Sequence, residues 1–149
     1  MLNICIAESS MELSKSGNIT GEICFQIDDF FFPESNWNDF VVVILTWWNK
    51  SINTLIASSV GTVVEFNFMD GPFYIQGAKK NEEEVTLHFI KRSVVGENIF
   101  YSIDTDISEL KRSINQASKK VIKTMRGKAI QTDDTIELKK VNNPQYIKK

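Results

Sequence analysis

Phe30-Phe31-Phe32-Pro33-Glu34-Ser35-Asn36-Trp37-Asn38-Asp39-Phe40-Val41-Val42-Val43-Ile44-Leu45-Thr46-Trp47-Trp48-Asn49-Lys50-Ser51-Ile52-Asn53-Thr54-Leu55-Ile56 holds all three tryptophans of the chain and its densest apolar run. The stretch predicts one helix entered through a proline turn. Pro33 ends the strand before it, Asn36 is placed to cap the first-turn N–H groups, and Asp39 falls at the third helical position. At about 100° per residue, Phe40, Val41, Ile44, Leu45, Trp47, Trp48, Ile52, Leu55 and Ile56 gather on roughly half the circumference. Thr46, Asn49, Lys50, Asn53 and Thr54 take the other half. So wide an apolar face asks for two coverings, a sheet and a second element.

The flanking sequence supplies both. Upstream, Leu2, Ile4 and Ile6 alternate with Asn3, Cys5 and Ala7, and Ile19, Gly21, Ile23, Phe25 and Ile27 alternate with Thr20, Glu22, Cys24 and Gln26. These are two half-buried strands around a turn at Ser14–Asn18. Downstream, Val64–Phe68, Phe73–Gly77, Val85–Phe89 and Ile99–Ile103 show the same period of two. Asp70-Gly71-Pro72, Lys79–Glu82 and Gly96-Glu97-Asn98 separate them, as in an antiparallel meander. Asp106-Ile107-Ser108-Glu109 resembles a capping box. After it Ile107, Leu110, Ile114, Ala117, Val121 and Met125 form a narrow helical stripe amid Lys and Arg, ending near Gly127. Thr132–Val141 predicts a short edge strand, and the tail from about residue 142 is expected to fray. Strands in blocks rather than alternating with helices predict one α+β domain over residues 1–149: a mainly antiparallel sheet of about six strands with two helices on one face.

Composition narrows the class. A chain of 149 residues with 42% hydrophobic and 24% charged residues is neither disordered nor membrane-like. Its longest apolar run falls well short of the roughly 20 residues a spanning helix needs. The N-terminal residues do not resemble a signal peptide, so a cytoplasmic location is expected. Cys5 and Cys24 are too few and too far apart in sequence for a zinc or redox motif, and are expected to be reduced. The net charge of −2 conceals a division: residues 1–109 carry 6 basic and 16 acidic side chains, net −10, whereas residues 110–149 carry 11 and 3, net +8.

No stretch has the pattern of a catalytic, cofactor or metal site. His88 is the single histidine, set mid-strand beside Glu84 and Thr86 on the face opposite Val85, Leu87 and Phe89. The acids near each predicted helix start (Asp28, Asp29, Glu34 and Asp39; Asp104, Asp106 and Glu109) are accounted for by turns and caps. The seven glycines form no phosphate-binding loop. Nucleic-acid binding is not expected, because the cations of the second helix are spread around it and the acidic body would repel phosphates.

Phe32-Pro33, Trp37-Asn38-Asp39-Phe40-Val41-Val42-Val43-Ile44-Leu45 and Trp47-Trp48 resemble a segment of small bacterial immunity-type proteins of polymorphic toxin systems. There the segment leads into a strand-rich second half and a C-terminal helix. The resemblance implies a cytoplasmic protein that binds and neutralises one cognate toxin, without catalysis or cofactor, and transfers no individual residue. A negative surface would speed association with a basic, nuclease-like partner. The acids that alternation or turn position leaves solvent-facing are the partner-binding candidates: Asp28, Asp29, Glu65, Asp70, Glu82, Glu83, Glu84 and Glu97. The competing expectation is a small ligand-binding domain or enzyme with a pocket lined by Trp37, Trp47, Trp48 and Tyr74. A third is a subunit docking through its basic helix.

Overall fold

Apolar alternation from Leu2 to Ile27 folds as expected into a hairpin, and the computed structural model describes the chain from residue 2 to residue 142. Strand β1 (Leu2–Leu13) pairs antiparallel with β2 (Ile19–Ile27), with an irregularity between Ala7 and Glu12. β2 turns through Asp28, whose φ of 54° is a left-handed value that aspartate tolerates. It then pairs with β3 (Phe30–Phe32), which sets Phe32 opposite Phe25. The Phe32–Pro33 peptide bond is cis, and beyond it β4 (Asn38–Asp39) returns to β2. A second sheet is the expected meander: β5 (Val63–Asn67), β6 (Phe73–Lys79), β7 (Glu84–Ser93) and β8 (Gly96–Asp106) in sequential order. The fold is α+β and antiparallel, and among the described residues the strands divide between two four-stranded sheets, with three helices.

Helix α1 (Val41–Ala57) is the centre of the core, touching β2, β5, α2 (Ile107–Gly127) and α3 (Asp133–Asn142). It starts four residues later than the tryptophan pattern suggests. Residues 37–39 stay extended because β2 satisfies their backbone: Ile23 N–H donates to Trp37 O at 2.8 Å, and Gly21 pairs with Asp39. Asp39 is therefore not a first-turn acid. Its carboxylate, on a residue 1% exposed, accepts from Trp37 Nε1 (2.9 Å), Phe40 N (2.7 Å) and Asp70 N (3.2 Å). No helical start at residue 37 offers those donors, and Phe40, not Asn36, is the N-cap.

The buried face of α1 is also rotated from the predicted one. Val41, Val42, Ile44, Leu45, Trp48, Ile52 and Leu55 are buried, whereas Trp47 is 37% and Ile56 43% exposed. Thr46 and Asn49, assigned to the polar half, are buried instead and have their hydrogen bonds made internally. Thr46 Oγ1 donates to Val42 O (3.1 Å); Asn49 Nδ2 donates to Leu45 O (2.8 Å) and to Ser118 Oγ on α2 (2.9 Å). Trp48 joins both sheets: its ring lies 5.0 Å from Phe25 and 5.3 Å from Phe68, and Nε1 donates to Asn67 O at 2.8 Å.

α2 buries every residue of the predicted stripe, Ile107, Leu110, Ile114, Ala117, Val121 and Met125. Its N-cap Asp106 makes no side-chain cap bond, and Glu109 accepts instead from Thr105 Oγ1 at 3.3 Å, so the capping box does not form. The expected edge strand at Thr132–Val141 is instead α3. Thr132 and Thr135 cap each other reciprocally, through Thr132 N to Thr135 Oγ1 (2.9 Å) and Thr135 N to Thr132 Oγ1 (3.2 Å), and Leu138 is buried in the core. The tail expected to fray lies almost wholly outside the described residues.

Candidate functional site

Helices and the first sheet cover one face of the β5–β8 meander; alternation turns the other face outward, open to solvent except around the buried pair Tyr74 and Ile90. Inward go Phe66, Ile75, Val85, Leu87 and Phe89, all buried. Outward in register go Glu65 opposite Gln76, Gln76 opposite His88, and His88 opposite Ser102. Glu84 faces Asp106 and Thr86 faces Asp104 on the same side. β8 departs from strict alternation: Phe89 pairs with Tyr101 but Ile90 with Ile99, leaving Phe100 as the extra residue. That bulge places Ile99 with the outward set and turns Phe100 and Tyr101 toward the aromatic edge, 6.5 Å from Phe32 and 4.7 Å from Phe30. Ile99, read as core by its phase, is 53% exposed.

Two polar clusters order this outer face. At one end Arg92 lies over the Tyr74 ring, 3.8 Å from its centroid, and reaches Glu65 Oε1 at 3.6 Å. Tyr74 O–H donates to Glu97 Oε2 at 2.6 Å. Burial and then the Glu97 hydrogen bond push the Tyr74 phenol up to about 12, so it remains a donor at neutral pH. At the other end Asp104 accepts from Lys80 Nζ (2.5 Å) and Thr86 Oγ1 (2.6 Å). The Lys80 and Thr86 hydrogen bonds hold the Asp104 carboxyl below the usual carboxylate range, and Asp104 in turn raises Lys80. Between them His88 Nδ1 and Ser102 Oγ share a hydrogen bond of 2.6 Å.

Beside this second cluster, the β6–β7 turn projects Glu82 and Glu83. Asn81 Oδ1 accepts from the backbone N–H groups of Glu83 (2.9 Å) and Glu84 (2.8 Å), fixing the turn. Glu82 and Glu83 open with Asp106, Ile107 and Lys111 onto a cleft of about 480 Å³ that also touches Ile56 at the end of α1. Beneath the turn, Lys79 is only 3% exposed. Its Nζ donates to Ile56 O (3.1 Å) and Ser58 O (2.7 Å), placing a cation on the carbonyl end of α1. The Lys79–Glu82 run expected as a turn thus begins one residue later.

Of the eight candidate acids, the structure gathers five. Glu65, Glu84 and Glu97 share the outer face, and Glu82 and Glu83 border it. Asp28 and Asp29 sit on the β2–β3 turn, where Asp28 lines a separate cleft of about 430 Å³ with Glu109 and Arg112. Asp70 lies in the β5–β6 connection, tied to Asp39. Asp104 and Asp106 were missed as surface acids because they were read as helix-start residues. Their alternation with Ile103 and Thr105 carries the signal that would have found them. The tryptophan pocket does not form: Trp48 is 0% exposed in the core, Trp47 lies at the surface, Trp37 packs on Phe73 at 5.4 Å, and Tyr74 is on the outer face of the second sheet. An apolar cleft of about 210 Å³ between α2 and α3, lined by Ile122, Ile130 and Leu138 among others, contains none of these rings.

Among the described residues no group of three or more His, Cys, Asp or Glu side chains is arranged to hold a metal ion, and no helix is long and apolar enough to cross a membrane. No family model matches the chain, and no curated protein or solved structure matches it either.

Proposed function

We propose that this chain is a cytoplasmic immunity-type protein that binds and neutralises a cognate toxin domain by protein–protein contact. The observation that carries the reading is the open outer face of the β5–β8 sheet with its acidic border at Glu82, Glu83 and Glu84. A hydrogen-bonded sheet offers side chains at fixed spacing, so binding costs little ordering entropy. The Glu82–Glu84 turn is pre-set by Asn81, and Glu65 and Glu97 are held by Arg92 and Tyr74. In this reading the turn acids steer a basic partner, and the held acids fix its register. The remaining candidates, Asp28, Asp29 and Asp70, lie on other turns and contribute only to the long-range field.

Co-expression with any toxin domain found encoded next to this chain's gene, in a cell that otherwise dies, tests the function directly. Rescue of growth and a complex on size exclusion are expected; neither appearing would refute the reading. Substituting Glu82→Gln, Glu83→Gln and Glu84→Gln together should slow association by roughly tenfold at low salt and less at high salt, with little change in dissociation. Rescue with an association rate indifferent to salt would retain the function and overturn the electrostatic route.

A further inference from the structure

The β1–β2 ladder brings the chain's two cysteines, remote in sequence, directly opposite each other as register partners. Ile23 donates its N–H to Trp37 O, away from β1. The next residue, Cys24, therefore turns its backbone groups toward β1, so Cys5 and Cys24 occupy a hydrogen-bonded position of the ladder. Such positions hold Cα atoms about 5.5 Å apart, inside the roughly 4.4–6.8 Å window of disulfides. Both side chains project from the side of the sheet opposite core residues Ile4, Ile23 and Phe25, and both are free thiols.

Their surroundings differ. Cys24 is buried beneath the segment after Pro33, with Sγ donating to Ser35 O at 3.8 Å. Burial first, then Cys5 and the negative charge of Glu22, push its pKa up to about 12. Cys5 is only half-buried, and its Sγ donates to Gln26 Oε1 at 3.2 Å. A reagent arriving from solvent meets Cys5 first, while Cys24 stays protonated behind it.

We propose that Cys5 and Cys24 form a redox-closable dithiol site whose oxidant is a small-molecule disulfide, with Cys5 the entry thiol and Cys24 the resolving thiol. In the first step the Cys5 thiolate attacks one sulfur of the oxidant. Its S–S bond breaks, and the departing thiolate leaves with the electron pair and takes up the proton Cys5 lost. In the second step Cys24, no longer facing a Cys5 thiol, gives up its proton and its thiolate attacks Cys5 Sγ; the Cys5–reagent S–S bond breaks, the cross-strand bond forms, and the second reagent thiolate leaves with the electron pair and takes up the Cys24 proton. Two protein thiols are oxidised to one disulfide, and the reagent is reduced to two thiols. Cys5 is only half-buried, so the bridge stays within reach of a reducing thiol. Closure ties β1, which carries part of α2, to the central strand of its sheet.

The test treats the native full chain with glutathione disulfide and follows intact mass and peptide maps. The wild-type protein should lose two hydrogens, show a Cys5–Cys24 linkage, and recover both with a reducing thiol. Cys24→Ala should stop at a glutathione adduct on Cys5, and Cys5→Ala should react roughly tenfold more slowly or not at all. A wild-type adduct that persists without closing, or a bridge that forms only in denaturant, would overturn the proposal. Cys5→Ala reacting as fast as wild type would overturn the assignment of the entry thiol. The wild-type linkage map decides the question even if Cys24→Ala does not fold.

Discussion

Trp47 and Trp48 are adjacent and chemically identical, yet the structure assigns them opposite weights, so substituting each in turn tests the placement of α1. Trp48 is fully buried, packs against Phe25 and Phe68 from the two sheets, and gives its N–H to Asn67 O. Truncating such a ring to alanine costs about 3–5 kcal/mol through lost burial and the cavity left behind. The unpaired Asn67 carbonyl adds to this unless water enters. Against a total stability of about 5–15 kcal/mol for a domain, Trp48→Ala removes about a fifth at the least and most of it at the low end of that range. In thermal unfolding, at about 2–4 °C per kcal/mol for a chain of this size, that is a fall of roughly 6–20 °C. Trp47, more than a third exposed, should cost about 1 kcal/mol on the same substitution. Far-UV circular dichroism against urea is the assay, since it does not depend on the fluorophore removed, and the two variants should share one m-value. Trp48→Phe keeps an aromatic ring but removes the donor to Asn67 O and some buried volume, and should cost less than Trp48→Ala, about 1–3 kcal/mol. Equal losses for Trp47→Ala and Trp48→Ala, or a loss under about 1 kcal/mol for Trp48→Ala, would mean that α1 is rotated from the orientation described here.

Lys79→Met keeps the buried stem but removes the donors to Ile56 O and Ser58 O together with the exposed Glu82 ion pair; it should cost about 1–3 kcal/mol, read as a lower urea midpoint, and an unchanged midpoint would deny Lys79 its role at the end of α1. Asp104, held below the ordinary carboxylate range chiefly by the Lys80 hydrogen bond, contributes stability that is present above the unfolded-state pKa and lost as pH falls through the lowered folded value. Its side-chain NMR titration should have a midpoint below that of a free aspartate and move up in Lys80→Gln; no movement would assign the shift to Thr86 instead.

Periodicity was legible wherever one face of an element meets the core and the other meets water. β2, β5, β6, β7 and α2 satisfy that condition, and the residues read as inward-facing on them are buried, apart from Val64 and Phe73, which are half-buried. α1 breaks it. Both sheets and both other helices surround it, so Thr46 and Asn49 go inside with hydrogen bonds to Val42, Leu45 and Ser118 that no hydropathy pattern reports. The helix start at residue 37 failed for a related reason. Asn38 and Asp39 read locally as a capped first turn, but the decisive donors come from Gly21 and Ile23 on one side and Asp70 on the other, all distant in sequence. At α3 the signal was present and local: a Thr132–Thr135 reciprocal cap three residues apart, outweighed by the β-branched residues Thr135, Ile136 and Val141.

Alternation placed Glu65 and Glu84, and a turn reading placed Glu97, on the solvent side, but neither could say that the three share one sheet face, because that depends on register and on Glu97 belonging to β8. Pairing adds Asp104 opposite Thr86 and Asp106 opposite Glu84, so two acids that looked like helix-start residues belong to the same surface. Several charges are already engaged: Arg92 takes Glu65, Lys80 takes Asp104, and within the β6–β7 turn Lys79 takes Glu82 at 3.3 Å. A count of acids therefore overstates the field a partner meets, and the uneven distribution along the chain becomes a narrower one in space. Among the described residues Glu83 has no such cation, and it projects from a turn whose backbone Asn81 already fixes. An exposed, pre-positioned acid changes association more than an engaged one, because neutralising Asp104 would also release Lys80. Electrostatic recognition should therefore centre on the β6–β7 turn, with the flat of the sheet supplying register rather than attraction.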